Sequence, residues 1–336
     1  MSRWEIVTAS AGDLERVRPL LEGAAQKPFR YLAGRGEADL AAFWLHELAA
    51  LAQDGAGEVL VAEAGGRALG LAASAPLPWD SQVLERRMAA IRCLVVDPAA
   101  PGRRDLGAAL LRRAEAGARE RAAEFLLCKA GADDPLLIHL LEDHGFRLMD
   151  TLLDYVFDFR QTPLSAIPRP PLPAGFALRS AAAADEEALA GVARAAFGEH
   201  FGRFHADERI SREQATRVYE EWIRSCCRGY GDWILAAEKE GRLAGYAVWK
   251  RPSAAEQRYG LNVGHYSIGA VHPDFAGCGL FVALTYEGMR ALESAAGVLE
   301  GPTHLNNRAV QRGYARLHWR VAGARHSFHK WLDRGA

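Results

Sequence analysis

The amino-acid sequence predicts an α/β (α+β) protein built from two copies of one fold in tandem. The chain has 336 residues, which is long for one hydrophobic core and comfortable for two domains. Strand-like and helix-like segments follow one another in the same order in its two halves. A proline-rich segment separates these halves.

The separating segment spans residues 161–174 and carries five prolines, at positions 163, 168, 170, 171 and 173. Proline cannot continue a helix, and at this density it favours an extended spacer. We therefore expect a linker at residues 161–174, a first domain at residues 1–160 and a second domain at residues 175–336.

In the first half the predicted order is strand, two helices, hairpin, strand, helix, strand, helix and a closing strand. Asp13 is expected to cap the first helix, and the Gly65-Gly66 pair predicts the hairpin turn. The corresponding residues are 5–9, 13–23, 43–52, 59–75, 91–96, 106–122, 125–129, 135–144 and 147–159.

The second half repeats this order with few departures. Asp185 is the expected cap of its first helix, and Glu240-Gly241 is the expected turn of its hairpin. The predicted elements cover residues 176–180, 185–197, 214–224, 233–249, 265–271, 279–294, 310–317 and a closing strand at 322–332.

Bulk composition excludes several classes of protein. Hydrophobic residues make up 49% of the chain and the formal net charge is −1, so no basic excess favours nucleic acid or an anionic membrane. No apolar run approaches the ~18 residues of a membrane helix, and the N-terminus does not resemble a secretory signal. Five cysteines without zinc or redox spacing fit reduced thiols. We expect a soluble, cytoplasmic protein, and the preference for Arg, Ala and Gly is typical of GC-rich bacterial genomes.

Two matching stretches join a buried strand to a glycine-containing turn and a helix. One runs from Pro101 to Ala109, and the other runs from Pro273 to Phe281 after the strand Ile268 to Val271. Amide groups at a helix start point at an anion, and Gly107 is expected to let the backbone approach a phosphate. Gly145 follows Gly107 by 38 residues and His318 follows Gly279 by 39, which supports an internal repeat.

On these residues the sequence resembles the GCN5-related N-acetyltransferase (GNAT) superfamily, as two tandem domains. The superfamily signature on the pyrophosphate turn is Gln/Arg-x-x-Gly-x-Gly/Ala. Arg104 to Ala109 matches it in full, whereas Ala276 to Phe281 keeps only the central glycine. The resemblance implies a mixed, mostly antiparallel sheet flanked by helices, with acetyl-CoA as donor. The implied cofactor contacts are Ile268, Ala270, Val271, Ala276, Gly277, Cys278, Gly279, Leu280, Phe281, Asn307, Arg104, Gly107 and Ala109.

A second segment that suggests a catalytic role contains Asn307 and Tyr314. Asn307 can cap the helix that follows, and Tyr314 lies seven residues further along it. In the superfamily the equivalent asparagine contacts the pantetheine arm, and the tyrosine donates a proton to the leaving thiolate. A phenol with a pKa of about 10 is suited to that role. The alternative is that Tyr314 is a core tyrosine.

The first half lacks an equivalent asparagine and tyrosine. Alignment of Gly145 with His318 sets Leu141 on Tyr314 and Asp134 on Asn307, and leucine cannot donate a proton. We therefore expect the second domain to be catalytic. The first domain is expected to be a structural partner, a vestigial cofactor binder or a lid over the substrate.

A third stretch, from Phe201 to Asp207 and then from Tyr219 to Trp222, precedes the second hairpin. It resembles the acceptor region of dTDP-fucosamine (dTDP-4-amino-4,6-dideoxygalactose) acetyltransferases, which show a similar Arg-Phe-x-x-Asp and Tyr-x-x-Trp pattern. Arginine can pair with a phosphate or carboxylate, and aromatic side chains three residues apart on a helix can stack on a ring. The alternative is a surface ion pair with core aromatics. The implied substrate residues are Arg203, Phe204, His205, Asp207, Tyr219 and Trp222.

These patterns predict acetyl transfer to a primary amine by direct attack, with an amino sugar or nucleotide-linked amino sugar preferred. The alternatives are an amino acid, polyamine, aminoglycoside or protein amine as acceptor, or a non-catalytic acyl-CoA-binding protein. A main-chain amide of the strand from Ser267 to Val271 is expected to meet the oxyanion. The protein is expected to be a monomer or homodimer and to hold no metal, despite His326 and His329. Candidate general bases are Glu199, His200, His205, Asp207 and His265.

Overall fold

The structure is a computed structural model that describes residues 4–53, 55 and 57–332. It divides into two compact units. The first unit contains residues 1–149 and 325–336, and the second contains residues 150–324. These units differ from the predicted halves at both ends. The predicted linker is part of the second unit, where Leu164 and Ile167 are buried in the hydrophobic core.

The first unit begins with β1 (Glu5–Thr8), a 3-10 helix (Ala11–Val17) and two helices, and continues with strands and helices in alternation. The sheet order is β1-β2-β3-β4-β5 followed by the end of β12. Among the described residues of this unit, β4 and β5 pair in parallel and the other neighbours pair antiparallel. The remaining bounds are α1 Arg18–Gly23, α2 Glu37–Gln53, β2 Glu58–Ala64, β3 Arg67–Pro76, α3 Pro78–Leu84, β4 Met88–Val96, α4 Arg103–Glu120, β5 Phe125–Gly131 and α5 Pro135–Asp143.

The second unit repeats this plan. Its sheet order is β6-β11-β10-β9-β8-β7, and only β10 and β11 pair in parallel. The bounds are β6 Arg147–Asp158, β7 Phe176–Ser180, α6 Glu186–Phe197, α7 Arg212–Ser225, β8 Trp233–Lys239, β9 Arg242–Lys250, α8 Ala254–Arg258, β10 Val263–Val271, α9 Leu280–Leu292, β11 Val298–His304, α10 Arg308–Arg316 and β12 Arg320–Trp331.

The two closing strands are exchanged relative to the prediction. Residues 152–158 of β6 pair with β11 of the second unit, and residues 325–331 of β12 pair with β5 of the first unit. The prediction that each strand completes the sheet of its own half was wrong. A strand's sequence pattern specifies at most which face is apolar, and it does not name the sheet that the strand joins.

Sequence reasoning also missed three elements, namely α3, α8 and β11. Strand β11 contains Gly301 and Pro302, which weaken a strand pattern, although Pro302 pairs with Asp154 of β6. Helix α2 begins six residues earlier than expected, at Glu37. The first 3-10 helix is capped by Ser10, with Asp13 as the return partner of a capping box.

Helices cover the two faces of the second unit's sheet. Leu284 and Met289 of α9 pack with Trp249 and Tyr266 on one face. Leu189 of α6 packs with residues of α7, β9 and β10 on the other face. In the described part of the chain, no helix is long and apolar enough to cross a membrane.

Candidate active site

Two parallel strands part at the centre of the second unit. Within the described residues the parallel register of β10 and β11 ends with His265 opposite Glu300. Just beyond that point, the register of β10 with β9 shifts between Tyr266 and Ile268, which makes Ser267 the extra residue of a β-bulge. A bulge bends its strand and re-aims its amides. Beyond this point no pair joins β10 to β11 within the described residues, and we call the gap between them the cleft.

Tyr314 lies at the point where the strands part. A Cβ placed on Gly301, the residue after the last paired position of β11, would lie 2.5 Å from the Tyr314 hydroxyl oxygen. The ring stacks on Trp319 with centroids 4.6 Å apart, and it also packs against Tyr155 and Phe281. Only 1% of Tyr314 is exposed, so the surrounding rings fix the direction of the hydroxyl.

Burial also fixes the protonation state of Tyr314. Desolvation raises the pKa of its phenol well above the ordinary value, and the neighbouring phenols of Tyr266 and Tyr155 act in the same direction. The hydroxyl therefore keeps its hydrogen throughout the neutral range. A protonated phenol held at the cleft is available as a hydrogen donor.

Asn307 caps helix α10 as expected. Its side-chain oxygen accepts a hydrogen bond of 3.3 Å from the Val310 amide. This bond uses one of the acceptor positions of Asn307 and leaves the donor NH₂ group for another partner. Asn307 is half-buried, which keeps this group within reach of a bound molecule.

The glycine turn before α9 presents a row of backbone amides. Gly277 and Gly279 have φ values of +80° and +93°, in the left-handed region that favours glycine. The first backbone hydrogen bonds of α9 come from Val282 and Ala283, so the described amides from Gly277 to Phe281 precede the helical ladder. No acidic residue lies in the first turn of α9, and a Cβ on either glycine would meet no atom within 4 Å. The turn is open and suited to an anion.

The corresponding turn of the first unit has a different structure. Helix α4 already begins at Arg103, and it carries Asp105 in its first turn. Arg104 forms an exposed ion pair with Asp143, whose atoms are 2.6 Å apart. Gly107 is buried inside the helix, where a Cβ would lie 2.6 Å from Leu140 of α5. This glycine makes room for a neighbouring helix, and its expected approach to a phosphate stays a prediction.

The packing of α5 and α10 corrects the internal repeat. In the first unit the glycine lies on α4 and the large side chain lies on α5. In the second unit the glycine lies on α10 and the large side chain lies on α9, since a Cβ on Gly313 would lie 2.5 Å from Phe281. Because Leu140 and Gly313 occupy the same position after the caps Asp134 and Asn307, Gly107 corresponds to Phe281 rather than to Gly279. By the same register Asp105 corresponds to Gly279. The full signature match from Arg104 to Ala109 is thus out of register with the second turn, and Ala109 is a half-buried helix residue.

The predicted cofactor residues on β10 are split between its two faces. Ile268 and Ala270 pack with α6 and α7, whereas Val271 packs on the α9 side. In the turn, Ala276 ends a 3-10 segment by donating to the Pro273 carbonyl, and Cys278 is exposed. Leu280 begins α9 and is buried in the core.

The predicted acceptor residues lie on the face of the sheet opposite Tyr314. Trp222 of α7 donates from its indole nitrogen to the Ser267 hydroxyl over 3.3 Å, so it contacts the bulge itself. The ring of Tyr219 stacks on that of Phe197 with centroids 4.0 Å apart, and the ring of His205 also stacks on Tyr219. Burial raises the pKa of Tyr219 to about 12, so it stays protonated.

Two other predicted acceptor residues, Arg203 and Asp207, have partners in the loop before α7. The guanidinium of Arg203 lies 4.4 Å from the centre of the buried Phe204 ring, as a cation–π pair. Asp207 is buried and accepts a hydrogen bond from the Arg209 amide, which fixes the loop before α7. Arg203 and Asp207 therefore shape the loop before α7.

The candidate general bases differ in environment. Glu199 is almost fully exposed beside Arg212. Burial lowers the pKa of His200 to about 4, with further lowering from His205 and His304 against the opposing charge of Asp150. Burial likewise lowers the pKa of His205, so both imidazoles are neutral and weak bases at neutral pH.

His265 has the opposite character. Its pKa is raised to about 9, because hydrogen bonds to Glu256 and Glu300 outweigh the effect of burial. It is therefore an imidazolium at neutral pH and cannot take a proton from an ammonium group.

Sequence reasoning did not name four residues on the acceptor face, namely Glu256, Glu300, His304 and Asp150. Both ring nitrogens of His205 and the Oδ1 atom of Asp150 are buried and have no hydrogen-bond partner among the described residues. His304 is buried and accepts at Nδ1 from the Asn306 amide. Glu256, Glu300 and His304 belong to α8 and β11, the elements that the sequence pattern failed to reveal.

His326 and His329 are three residues apart in β12 and so point to opposite faces of the strand. His329 packs edge-on against Phe125. Among residues 4–53, 55 and 57–332, no group of three or more His, Cys, Asp or Glu side chains is arranged to hold a metal ion.

Comparison with known proteins gives one family match and several structures of the same fold. Residues 22–146 match the sequence model of the Acetyltransferase (GNAT) family. No curated protein matches the chain. The match covers the first unit, although the cleft-facing tyrosine lies in the second.

Solved structures with the same fold cover nearly the whole chain. A GCN5-related N-acetyltransferase from Sphaerobacter thermophilus is 18% identical, covers 100% of this chain and 98% of its own, and superposes with a TM-score of 0.67. A tandem GNAT protein from the clavulanic acid biosynthesis pathway is 19% identical, covers 99% and 100%, and has a TM-score of 0.61.

A glucosamine N-acetyltransferase region of a fungal β-N-acetylglucosaminidase is 14% identical, covers 98% of this chain and 38% of that chain, and has a TM-score of 0.66. At these identities the likeness establishes the fold alone. The family match and the tandem fold together support an N-acetyltransferase of the GNAT type.

Proposed function

We propose that the second unit transfers an acetyl group from acetyl-CoA to a primary amine by direct attack. The observation that carries this proposal is the position of the Tyr314 hydroxyl, which lies against Gly301 where β10 and β11 part. The open turn from Gly277 to Phe281 lies on the helix packed beside Tyr314.

The residues of the second unit fit acetyl-CoA. Amides from Gly277 to Phe281 are suited to the pyrophosphate, because they lie at a helix start without a competing carboxylate. The NH₂ group of Asn307 is suited to a pantetheine carbonyl. When bound, acetyl-CoA supplies the activated acetyl group, and the bulge at Ser267 is expected to aim an amide at the developing oxyanion.

Tyr314 acts as the general acid in this proposal. As the C–N bond forms and the C–S bond breaks, Tyr314 gives its hydrogen to the departing sulfur and recovers one from the amine nitrogen through solvent. Neither step needs a covalent enzyme intermediate, and we assign none. The first unit has leucine at position 141 in place of this phenol, and we propose that it is catalytically degenerate.

For the acceptor, we propose an amino sugar or a nucleotide-linked amino sugar. The acceptor face holds stacked aromatic rings, and it also holds buried hydrogen-bonding atoms without a partner among the described residues, namely both ring nitrogens of His205 and Oδ1 of Asp150. Such a face suits a hydroxylated ring. The fungal glucosamine N-acetyltransferase region with the same fold makes glucosamine the first probe. The nucleotide-linked sugar of the dTDP-fucosamine type stays a prediction from the sequence.

The proposal is tested by release of thiol from acetyl-CoA in the presence of single amines. The panel contains glucosamine, an amino acid, spermidine, an aminoglycoside and a peptide with a free N-terminus. We expect amine-dependent release of thiol, fastest with an amino sugar. Binding of acetyl-CoA without release with any amine would favour a non-catalytic acyl-CoA-binding protein and overturn the proposal.

A further inference from the structure

The second unit holds a cavity on the side of its sheet that α9 covers. The cavity has a volume of about 630 Å³, which is in the range of sites for small organic molecules. It lies between the edge strands β7 and β8, helix α9 and the proline-rich segment before β7. The described residues that line it include neither Tyr314 nor the turn from Gly277 to Phe281, so this cavity is distinct from the candidate active site.

Two arginines in the cavity wall share one carboxylate. Arg169 of the proline-rich segment approaches one oxygen of Glu287 with its Nε at 2.9 Å and its Nη2 at 2.8 Å. Arg290 approaches the other oxygen with its Nε at 2.9 Å and its Nη2 at 2.6 Å. Glu287 is buried, whereas the side chains of Arg169 and Arg290 are 68% and 60% exposed. The three groups therefore carry one net positive charge at the wall of the cavity.

Each guanidinium keeps an edge that a ligand can reach. Arg169 and Arg290 both use Nε and Nη2 on Glu287, and neither Nη1 has a hydrogen-bond partner within the described part of the chain. The planar fork of arginine suits a carboxylate. A net charge of plus one matches a monoanion, whereas a dianion would leave a negative charge uncompensated beside the buried Glu287.

The rest of the wall is largely apolar. Trp233 begins β8 and is half-buried, and its indole nitrogen donates to the Ser180 hydroxyl over 3.4 Å, which holds the ring in place. Leu178 and Leu235 belong to the same hydrophobic cluster and also line the cavity. An indole offers a flat surface on which another ring can stack. The wall thus suits a molecule with an apolar ring.

The first unit has a carboxylate at the position of Trp233. Glu58 begins β2 as Trp233 begins β8, and their partners on the next strand are Ser74 and Trp249. In both hairpins the register shifts at the same place, after Ala62 in the first and after Ala237 in the second. The two hairpins therefore have the same pairing, and Trp233 replaces Glu58.

An ion pair closes this place in the first unit. In the register set by the packing of α5 and α10, Arg113 of α4 corresponds to Glu287 of α9. Arg113 reaches Glu58 over 3.1 Å. In the second unit the corresponding residues are Trp233 and Glu287, which cannot form an ion pair, and Arg169 binds Glu287 instead. The cavity therefore arises where the closing ion pair has been exchanged for an indole and a carboxylate.

We propose that this cavity binds a small carboxylic acid with an apolar ring. The carboxylate lies on the outer edges of Arg169 and Arg290, and the ring lies against Trp233. The proposal goes beyond acetyl transfer and does not depend on it, because the cavity shares no residue with the site proposed for acetyl-CoA.

Binding of 3-phenylpropionate is measured by calorimetry on the whole chain. We expect saturable binding with a Kd of about 1 mM or lower. The uncharged 3-phenylpropionamide has the same shape and should bind ~10-fold more weakly or worse, because it lacks the charge. Phenyl phosphate at pH ~8 is a dianion and should also bind more weakly than 3-phenylpropionate.

Arg169→Gln and Arg290→Gln should each weaken the binding of 3-phenylpropionate by ~10-fold. Trp233→Leu keeps an apolar side chain but removes the flat ring, and it should weaken binding as well. Arg242→Gln is the matched control, because Arg242 is also an exposed arginine in an ion pair of the second unit, 3.1 Å from Asp274. It should leave the affinity unchanged.

Several outcomes would exclude the site. They are the absence of saturable binding, equal affinity for the acid and the amide, and losses in Arg169→Gln and Arg290→Gln no larger than in Arg242→Gln. Tighter binding of phenyl phosphate would overturn the choice of a monoanion. Saturating acetyl-CoA should leave the affinity for 3-phenylpropionate unchanged, and displacement by acetyl-CoA would place the probe in the cleft and exclude the proposal. The titration requires no turnover, so its failure is distinct from a failure of the proposed acetyl transfer.

Discussion

Helices α5 and α10 occupy the same place in the two units and differ in what they carry. Each has nine residues and a side-chain cap, Asp134 in one and Asn307 in the other. The seventh residue after each cap is buried, as Leu141 in the first unit and Tyr314 in the second. The helix and its cap are thus alike in the two units, but the position of the Tyr314 phenol is taken in the first unit by a leucine, which cannot donate a proton.

The turns before α4 and α9 differ in the same sense. In the second unit two glycines with positive φ open the chain before the helix, whereas in the first unit Arg103 and Asp105 belong to the helix itself. Side chains with a Cβ favour the right-handed region, so the helix begins earlier and consumes the turn. The first unit's turn is thus part of a packed helix, whereas the second unit keeps an open turn that is suited to an anion.

The family match falls on the unit without the tyrosine. The matched residues 22–146 include Leu106, Gly107 and Leu110 of α4, which are buried. Tyr314, on which the proposed chemistry depends, lies outside the matched residues.

The largest expected effect comes from placing the first unit's residue in the second unit's turn. In Gly279→Asp, backbone strain of ~1–2 kcal/mol and repulsion of phosphate should weaken acetyl-CoA binding by roughly 100-fold. Calorimetry measures this. Asp105→Gly is the matched change in the first unit and should leave the affinity unchanged. A gain of affinity with Asp105→Gly, together with no loss in Gly279→Asp, would move the cofactor site to the first unit.

The next largest effect is expected on stability, when the glycine and the large side chain at the contact of α9 and α10 are exchanged. Gly313→Leu places a side chain against Phe281 and should lower the free energy of unfolding by ~1–3 kcal/mol. The added change Phe281→Gly restores the first unit's arrangement and should recover part of the loss, as a double-mutant cycle measured by urea unfolding. If the two changes are strictly additive, the proposed equivalence of Gly107 and Phe281 does not hold.

Acid should destabilise the protein through His200. Its pKa is about 4 in the folded protein and ordinarily about 6.5, so the unfolded chain binds more protons between these values. The stability is present above pH ~6.5 and is lost as the pH falls towards ~4. His200→Gln should reduce this loss by ~1–2 kcal/mol, with allowance for partial solvent access. Thermal unfolding between these pH values checks it, and equal slopes in both proteins would contradict it.

The smallest effect concerns the two caps. Asp134→Ala and Asn307→Ala should each lower the free energy of unfolding by ~1 kcal/mol, because each removes one hydrogen bond to a helix amide. Only Asn307→Ala should also weaken acetyl-CoA binding. Equal affinity in both variants would assign Asn307 a structural role alone.

Much of the local structure could be predicted from the sequence. The hairpins β2–β3 and β8–β9 follow from glycine turns between apolar runs, and Phe176–Ser180 was predicted to the residue. The pairing of β6 and β12 could not be predicted, because alternation does not name the neighbouring strand. The signature match that begins at Arg104 led to a wrong alignment of the two units. A glycine buried in helix packing and a glycine in an open turn cannot be told apart in the sequence.

The sequence pointed to more of the candidate site on the face of Tyr314 than on the opposite face. Tyr314 and Asn307 are separated by two helical turns, and local spacing therefore reveals them together. Glu256, His265 and Glu300 come from three elements, and two of those elements contain breakers or are too short to show periodicity. Such a cluster exists only after the chain has folded.

The most direct test is the single-turnover rate of acetyl transfer in Tyr314→Phe, measured by rapid quench at saturating acetyl-CoA. Tyr155→Phe is the control, because Tyr155 packs 5.0 Å away in the same group of rings. We predict that Tyr314→Phe slows the chemical step ~100-fold or more at neutral pH with unchanged affinity for acetyl-CoA, and that Tyr155→Phe does not. Equal single-turnover rates in the parent and Tyr314→Phe would contradict the assignment of catalysis to the second unit's phenol.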